Sequence, residues 1–274
     1  MSELKLFLAI LALSFAGGLT KMAGGLLYGS KSLLVDAITC FANLLVAIAM
    51  VVFYKLSLRE PDADHMYGHR RLRLASIAVA TSTYSLVLGF LVSYILLTSG
   101  REYSVEYRAP LLAILGSLFY GLAVLLGRRA GVEGEVYARY TYGELLESAI
   151  GVIASSGGAF YHYLVDLAGA ILLVVFWAGE TARNSWTLIN IVADRVEPSL
   201  SAEVREYLKS RGYLVKSLRF REAGDRLIGD MIVILPGSMS VEKAHEIASL
   251  IEKELVEKYK LEVTIHIEPD SSNS

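Results

Sequence analysis

The sequence predicts an α-helical membrane protein with six transmembrane helices and a small α+β domain after them, and three observations predict this fold class. The 274-residue chain is 54% apolar and has a mean hydropathy of +0.48, which is too apolar for an ordinary soluble domain. Several uncharged stretches reach the roughly 20 residues that a helix needs to cross a bilayer core of about 30 Å. Charged residues are sparse at first, with 27 in residues 1–190, and dense afterwards, with 27 in the last 84. Two differently solvated regions therefore share one chain.

Six apolar segments predict the membrane-spanning helices. Four contain no charged residue, whereas the first contains Lys21 and the last contains Glu180 and Arg183. Lys21 is expected either to neutralise a nearby carboxylate or to extend its ammonium to the membrane surface. The first segment is longer than a signal-peptide core and lacks a persuasive cleavage site, so we expect it to remain as a mature helix. The predicted spans are residues 4–27, 37–54, 74–100, 109–127, 148–165 and 166–191.

Basic residues in the short loops predict the orientation, because Lys and Arg are retained on the cytoplasmic side. Eight lie in the loops after the second and fourth spans, and three lie in the opposite loops. An even number of spans then places both termini of this multi-pass cell-membrane protein in the cytoplasm. The eight are Lys55, Arg59, Arg70, Arg71, Arg73, Arg128, Arg129 and Arg139, and the three are Lys31, Arg101 and Arg108.

The polar tail has the periodicity of a small αββαβ domain. We place the boundary near residues 194–198, so that residues 1–193 form the membrane domain and residues 194–274 the cytoplasmic domain. Ser240 is expected to cap the second helix. In the last strand, apolar residues alternate with polar ones from Leu261 onwards. The predicted elements are a helix at 201–209, strands at 213–220 and 226–235 around a turn at 224–225, a helix after residue 240 and a final strand.

Composition excludes two classes of protein. The net charge of −2 provides no basic surplus of the kind that binding to a phosphate backbone requires, so nucleic acid is not an expected partner. A single cysteine, Cys40, cannot form an intramolecular disulfide, so the chain is not a disulfide-stapled scaffold.

Ionisable residues inside predicted spans indicate a functional site, because charges in a membrane are costly. Asp36, Cys40 and Asn43 lie at positions i, i+4 and i+7, which is one stripe of a helix. Glu144 and Glu147 form a second acidic stripe near the fifth span. Carboxylates, a thiolate and a carboxamide around one point suit a divalent cation, and the thiolate favours zinc over calcium or magnesium.

Each of these residues also has a structural interpretation. Asp36 could be an interfacial carboxylate, and Cys40 could be a small buried apolar residue. Asn43 could bridge two helices by hydrogen bonds. One of Glu144 and Glu147 could be a solvated acid at the start of its helix.

The loop after the second span contains a second candidate site. Two histidines four residues apart, His65 and His69, lie beside Asp62 and Asp64. Imidazoles and carboxylates are ligands that zinc accepts. Taken alone, such a loop is more often an exposed charged turn.

A third candidate site lies in the tail. His266 and Glu268 are predicted to point the same way from the last strand, and His245 flanks the apolar stripe of the preceding helix. An isolated histidine on a solvated face is usually not a ligand, so this site depends on its partners.

Several segments together resemble the cation diffusion facilitator family of divalent-metal/proton antiporters. Residues 21–37 resemble its first-to-second helix segment, with a lysine, Gly-Ser and Asp-Ala in order. His65-x-Tyr67-Gly68-His69 is similar to its signature after the second helix, and residues 240–247 and 265–269 resemble its regulatory tail. The resemblance implies a six-helix transporter that forms a homodimer, with a ferredoxin-like cytoplasmic tail that binds metal and biases the transport cycle.

The resemblance also implies a ligand set, which this chain departs from in the membrane. The family's Asp-x-x-x-Asp on the second helix becomes Asp36-x-x-x-Cys40, and its His-x-x-x-Asp on the fifth becomes Tyr140-x-x-x-Glu144 or Gly143-x-x-x-Glu147. We prefer Glu144, because its spacing to Asp166 fits. Such a set is rich in oxygen, so zinc, cadmium, iron and manganese are all admissible.

Outside the membrane the correspondence is closer. Two groups match the family's loop and tail ligands, although the strand at residues 230–233 lacks a histidine that the tail pattern usually has. The resemblance therefore implies that a two-metal tail site is reduced or absent in this chain. The matching residues are Asp62, His65 and His69 in the loop, and His245, His266 and Glu268 in the tail.

We therefore predict a transporter, not an enzyme, that exports a divalent transition metal by proton-coupled alternating access. Zinc is the first choice of cation, and manganese, iron, cobalt and cadmium are alternatives. The expected partners are the lipid bilayer, metal ions, protons and a second copy of the chain. One alternative is a membrane-anchored metal sensor without transport. Another is an intramembrane metal-dependent hydrolase, but the sequence has no His-Glu-x-x-His, Gly-x-Ser-x-Gly or phosphate-binding glycine motif.

Overall fold

Long helices make up most of the molecule. The structure is a computed structural model that describes residues 3–127 and 131–270, with side chains described for residues 8–127 and 143–270. The six long helices are α1 (Glu3–Tyr28), α2 (Lys31–Ser57), α3 (Leu72–Thr98), α4 (Arg108–Gly127), α5 (Gly131–Phe160) and α6 (Tyr163–Val192).

Five of these helices, within the described residues, are long and apolar enough to cross a membrane: α1 from Leu8 onwards, α2, α3, α4 and α6. The remaining long helix, α5, has 30 residues and is the least apolar of the six. The predicted α-helical membrane architecture is confirmed, and the chain is a multi-pass membrane protein.

The predicted boundary between the fifth and sixth spans is wrong. Residues 148–165 form one uncharged run in the sequence, but α5 ends at Phe160 and α6 begins at Tyr163. The backbone N–H groups of Tyr161 and His162 both donate to the carbonyl of Gly157, at 3.0 and 3.1 Å, and close the last turn of α5. A Cβ atom at Gly158 would lie 2.6 Å from Cβ of Asp166, so the two helices approach closely at this turn. An absence of charge cannot reveal such a turn.

The chain divides into two compact units, and the first, the membrane unit, comprises residues 1–52 and 76–185. In the part that the structure describes, its largest apolar cluster joins α2, α3 and α6, with Leu91, Leu173 and Trp177 almost completely buried. Helix α4 packs against α1 and α5. The outward faces carry large apolar side chains, for example Leu86 at 77% and Leu97 at 79% exposure. This apolar exterior suits lipid, and the polar groups lie inside.

The second compact unit, the tail unit, comprises residues 53–75 and 186–274. Its described elements after α6 are α7 (Pro198–Ser210), β1 (Leu214–Glu222), β2 (Leu227–Leu235), α8 (Val241–Tyr259) and β3 (Leu261–Pro269), which confirms the predicted αββαβ order.

The strands form one sheet in the order β1-β2-β3, in which β1 and β2 are antiparallel and β2 and β3 are parallel. A parallel pair needs a crossover connection, and α8 supplies it. The hydroxyl of Ser240 accepts the backbone N–H of Lys243 and caps α8, as predicted. Met231, Ile251 and Leu261 are completely buried between the sheet and the helices.

The loop between α2 and α3 packs against the β1–β2 turn within the tail unit. Arg70 Nη1 lies 3.1 Å from Asp225 Oδ1, and Arg73 Nη1 lies 3.8 Å from Asp225 Oδ2. Gly224 has a φ of +84°, and a Cβ atom there would collide with the backbone carbonyl of Arg70. Partial desolvation of Asp225 opposes the effect of the two arginines, but their hydrogen bond and charges lower the pKa of its carboxyl group. The turn therefore holds the loop segment that follows His69.

Candidate metal centre

The membrane unit contains a buried polar cluster built by α1, α2 and α5. Lys21 from α1 and Asp36 from α2 form an ion pair, with 2.8 Å between Nζ and Oδ1, and both side chains are completely buried. Cys40 lies one turn after Asp36 on α2, and its thiol lies 3.5 Å from the same carboxylate oxygen. The predicted stripe on α2 is therefore a real cluster inside the bundle. Of the two interpretations of Lys21, neutralisation of a carboxylate is confirmed, and extension to the membrane surface is wrong.

The ammonium of Lys21 makes two further hydrogen bonds. It donates to Ser148 Oγ on α5 at 2.6 Å and to Cys40 Sγ at 3.4 Å. It also lies 4.6 Å from the ring centroid of Tyr120 on α4, a distance at which a cation is attracted to the π-face. A Cβ atom at Gly116 would lie 2.8 Å from Lys21 Cγ, so this glycine provides room for the lysine stem.

Two buried carboxylate oxygens in this cluster accept no hydrogen bond from any described residue: Asp36 Oδ2 and Glu144 Oε2. An unsatisfied buried oxygen is costly, and buried charges are normally paired or bind a metal ion. On the side of α5, Gly151 leaves the space beside Asp36 open, since a Cβ atom there would lie 2.9 Å from Oδ2. These two oxygens have the chemistry and the burial expected of cation ligands.

Glu147 differs from Glu144 in its partners. Its Oε2 accepts a hydrogen bond from Thr39 Oγ1 at 2.9 Å. Glu144 and Glu147 are both buried, at 7% and 4% exposure, and α5 begins at Gly131, more than three turns earlier. The interpretation of either acid as a solvated residue at the start of its helix is therefore wrong. Of these two acids, Glu144 is the one whose Oε2 has no hydrogen-bond partner among the described residues.

Asn43, the third residue of the α2 stripe, bridges two helices. Its Oδ1 accepts a hydrogen bond of 2.5 Å from the hydroxyl of Tyr84 on α3. Asn43 also lies within hydrogen-bonding reach of Glu144. Asn43 therefore bridges α2 and α3, which was the structural interpretation of this residue, and it lies at the edge of the cluster.

The acidic residues and Cys40 of the membrane unit do not converge on one point. Among the described residues, the ligand atoms of Asp36, Cys40, Glu144 and Glu147 include no three that all lie within 4.8 Å of one another. The Lys21 ammonium contacts Asp36 and Cys40 on one side and Ser148 of α5 on the other. It therefore takes the position between α2 and α5 that a shared ion would need. The side chain of Tyr140, which the resemblance places near this set, lies outside the described side chains.

The loop site, by contrast, is assembled. Asp62, His65 and His69 offer ligand atoms that all lie within 4.8 Å of one another. Asp62 Oδ1 lies 3.1 Å from His65 Nδ1, and Asp62 Oδ2 lies 3.3 Å from His69 Nε2. Asp62 Oδ1 also accepts the backbone N–H groups of Asp64 and His65, which fixes the turn. The sequence prediction for these three residues thus corresponds to a real cluster.

The orientation of His69 suits metal binding. Its ring is buried, and its Nδ1 lies 3.1 Å from the carbonyl of Glu60. A histidine that donates from one ring nitrogen to a carbonyl presents a lone pair on the other, as metal-binding histidines commonly do. Slight desolvation of Asp62 opposes the effect of its partners, but hydrogen bonds from His65 and the two imidazoles lower the pKa of its carboxyl group. Asp62 is thus prepared to bind as a carboxylate.

The tail residues are not brought together within one chain. His245 on α8 lines a cavity of about 500 Å³ with Ile265 and Ile267, which face α8 from β3. Because side chains alternate along a strand, His266 and Glu268 belong to the opposite face of the sheet. There Glu268 pairs with Lys216, at 2.6 Å.

Asp166 is a further acid of the membrane unit, and its role could not be predicted from the spacing of residues alone. It is completely buried on α6. It accepts hydrogen bonds from Ser30 Oγ at 2.6 Å, Ser32 Oγ at 2.5 Å, the backbone N–H of Lys31 at 2.7 Å and Tyr103 OH at 3.0 Å. Asp166 thus caps the start of α2 from another helix, and its oxygens are occupied. Its isolated charge at the end of a long apolar run was the available signal.

Two family models match the chain. Residues 7–191 match the cation efflux transmembrane domain, and residues 197–270 match the cytoplasmic domain of cation efflux proteins. Together they cover both regions that charge density distinguishes in the sequence.

Curated relatives match along nearly the whole chain. The manganese efflux system protein MneP of Bacillus subtilis is 24% identical over 283 residues, which cover 94% of this chain and 94% of MneP. The magnetosome protein MamM of Magnetospirillum gryphiswaldense is 25% identical over 277 residues, which cover 90% of this chain and 81% of MamM. Among solved structures, one of CzrB, a proposed zinc transporter, is 29% identical and covers 28% of this chain and 100% of its own, with a TM-score of 0.27. That likeness is too low to carry an argument.

The transmembrane match spans more than half of the chain, and the buried acidic cluster lies within it. This family carries out efflux of divalent metal cations, and a transport function agrees with the prediction that the chain is not an enzyme. The chain therefore belongs to the cation efflux family, the cation diffusion facilitators, as its sequence motifs predicted.

Proposed function

We propose that the protein exports a divalent transition metal from the cytoplasm in exchange for protons, with Asp36, Cys40 and Glu144 as the central ligands in the membrane. One observation carries this proposal: two buried carboxylate oxygens, on Asp36 and Glu144, have no hydrogen-bond donor among the described residues. They extend from different helices toward the interior of the bundle. A cation held between α2 and α5 would supply both oxygens with a partner.

The coupling to protons follows from the same two carboxylates. A metal ion requires them as anions, whereas a carboxylate left behind in a dry interior is stabilised by binding a proton. Metal and protons therefore bind in turn. In alternating access, α2 and α5 would open this site to one side of the membrane at a time.

Our choice of cation rests on the chemistry of the proposed ligands. Cys40 supplies a sulfur ligand that favours zinc or cadmium, whereas the carboxylates and Asn43 suit manganese and iron. Zinc remains our first choice, and the similarity to MneP, a manganese efflux protein, supports manganese as the main alternative.

A panel of cations, including cobalt, tests the proposal together with the role of Cys40. Purified protein in liposomes is expected to move zinc against a pH difference. We expect Cys40→Ser to lower zinc and cadmium flux about tenfold relative to manganese flux, because a thiolate prefers the softer cations. Cys40→Asp should raise the relative flux of manganese. An unchanged ranking in both variants would assign Cys40 to packing, and no flux of any cation would remove the transport proposal.

We also propose that Asp62, His65 and His69 bind a metal ion in the loop, and that two chains associate through their tails. The assembled loop geometry supports the first part, and the match to the cytoplasmic domain supports the second. Both termini are proposed to be cytoplasmic. The tail ligands His245, His266 and Glu268 would then have to be completed across the dimer, because one chain does not unite them.

Replacement of His69 by alanine is expected to weaken zinc binding in the loop at least about 100-fold, since losing even a supporting residue of a metal site costs 10–100-fold. The readout is the number of zinc ions bound per chain, measured by calorimetric titration. Asp64→Asn is the matched control, because Asp64 is exposed in the same turn and only its backbone N–H contacts Asp62. Equal zinc binding in wild type and His69→Ala would exclude this site.

A further inference from the structure

We propose that Lys21 is a tethered cation that competes with the transported metal ion for Asp36 and Cys40, and so sets how tightly the ion is held and how fast it leaves. This inference rests on the proposed function, because it assumes that the ion binds Asp36. It assigns Lys21 a task beyond neutralising a buried charge.

The contacts of Lys21 place its ammonium on candidate ligands of the ion. An ammonium has three N–H donors, and those of Lys21 are directed at Asp36 Oδ1, Ser148 Oγ and Cys40 Sγ, at 2.8, 2.6 and 3.4 Å. Zinc would require oxygen and sulfur ligands at about 2.0–2.3 Å. The ion and the ammonium therefore cannot share Asp36 Oδ1 and Cys40.

Electrostatic repulsion also prevents the metal ion and the ammonium from occupying Asp36 and Cys40 together. A divalent ion bound by Asp36 and Cys40 would lie within a few ångströms of Lys21 Nζ, and like charges at such a distance repel strongly in a low-dielectric interior. Binding of the ion must therefore displace the ammonium. The ring of Tyr120 marks the direction of retreat, because the lysine stem lies against Gly116 of α4 and its charge is already 4.6 Å from the centroid of that ring.

Competition of this kind serves transport. A transported ion must bind well enough to enter the site and weakly enough to leave it. Buried carboxylates on α2 and α5 would retain a divalent ion for a long time. A cation on a flexible stem, tethered within reach of Asp36, accelerates release because it replaces the ion as it departs.

The structure also offers an alternative that the test must separate. Asp36 Oδ2 and Glu144 Oε2 are free, so an ion could bind through these two oxygens alone while Lys21 stays on Oδ1. In that arrangement Lys21 would stabilise the fold of the site without competing. Its removal would then weaken ion binding or leave it unchanged.

Two substitutions test the competition in the full-length protein. Lys21→Met removes the charge at similar length, and Ser148→Ala removes one acceptor that holds the ammonium beside Asp36. All titrations use a His69→Ala background, in which the proposed loop site is removed. With zinc as the probe in calorimetric titration, we expect Lys21→Met to bind about tenfold more tightly, within the range typical of coupled sites. Ser148→Ala should shift affinity in the same direction by about twofold to fivefold. In proteoliposomes, KM and the maximal rate of zinc flux should both fall for Lys21→Met, whereas Lys21→Arg, which keeps the charge, should not tighten binding.

Ser155→Ala is the matched control, because Ser155 is also buried on α5 but its hydroxyl hydrogen-bonds only to the carbonyl of Val152. It should leave zinc affinity unchanged. Since Lys21→Met leaves Asp36 without its counter-ion, thermal unfolding is measured with and without zinc. Zinc should raise the unfolding temperature of this variant more than that of the wild type. If Lys21→Met does not fold under either condition, the affinity of Ser148→Ala decides.

Unchanged or weaker zinc binding in both Lys21→Met and Ser148→Ala overturns the inference. Asp36→Asn separates this failure from failure of the proposed function. If Asp36→Asn abolishes the remaining zinc binding in the His69→Ala background while the Lys21 and Ser148 variants do not tighten it, only the competition is wrong. If Asp36→Asn binds zinc normally, Asp36 is not a ligand, and the proposed membrane site is wrong as well.

Discussion

Metal flux is expected to fall at least about 100-fold when Asp36 is replaced by asparagine, because loss of a ligand exceeds the 10–100-fold cost of losing a supporting residue. Asparagine has nearly the same shape and still offers an oxygen to Lys21. It removes only the negative charge that a divalent ion requires. The measurement is zinc uptake by proteoliposomes with a pH difference across the membrane, together with zinc binding by the same preparation.

Substitutions of two carboxylates on α5 test which acid binds the ion together with Asp36. Glu144→Gln should reduce flux to a similar extent, because its Oε2 is free to bind the ion. Glu147→Gln should have a smaller effect, because Oε2 of Glu147 is already engaged by Thr39, and an amide oxygen could keep that hydrogen bond. Equal loss in both variants would show that the ion is held by both acids.

Glu106→Gln serves as the control for the removal of a negative charge, since Glu106 is exposed in the loop between α3 and α4. It should transport zinc at the rate of the wild type. Comparable unfolding temperatures of all variants would show that the lost flux reflects the site and not the fold. Undiminished flux in Asp36→Asn would remove Asp36 from the mechanism.

The sequence predicted the helices well, because a membrane span requires a long run of apolar residues, which is a property of local composition. About 20 uncharged residues in succession are needed, and they can be counted. The boundary between α5 and α6 could not be counted in this way, since Tyr161 and His162 interrupt the helix without adding a formal charge. The tail was predictable because alternation along a strand and the 3.6-residue period along a helix are local patterns.

The candidate sites show the same difference between local patterns, which the sequence reveals, and long-range contacts, which it does not. Asp36 and Cys40 lie one turn apart on one helix, so spacing alone placed them together. The role of Lys21 could not be decided, because its contact with Asp36 depends on how α1 packs against α2. The relation of His245 to His266 was equally hidden. Alternation shows which residues share a strand face, but not which face the preceding helix covers.

Asp166 is the clearest residue whose role only the packing reveals, and its replacement by alanine should cause the largest loss of stability. The substitution removes the buried acceptor of five donors: two serine hydroxyls, the backbone N–H groups of Lys31 and Ser32, and the hydroxyl of Tyr103. Of these, the hydroxyl of Tyr103 keeps a second acceptor, the carbonyl of Tyr163 at 3.1 Å. Each unsatisfied buried donor costs about 1–3 kcal/mol, so we expect a loss of about 4 kcal/mol or more. The measurement is thermal or denaturant unfolding of the purified protein in detergent.

Tyr103→Phe is the matched comparison for Asp166→Ala, because it removes one of the five donors and leaves the carboxylate in place. It should cost only about 1 kcal/mol. If both variants lost the same small amount, Asp166 would not be the cap that holds the start of α2. Folded Asp166→Ala protein should still bind zinc, since the hydrogen-bond donors of this carboxylate belong to Ser30, Lys31, Ser32 and Tyr103 and not to Lys21. Normal stability combined with lost zinc binding would show that Asp166 is a ligand of the ion and not a structural residue. The two measurements together therefore distinguish an acid that stabilises the helices from an acid that binds the ion.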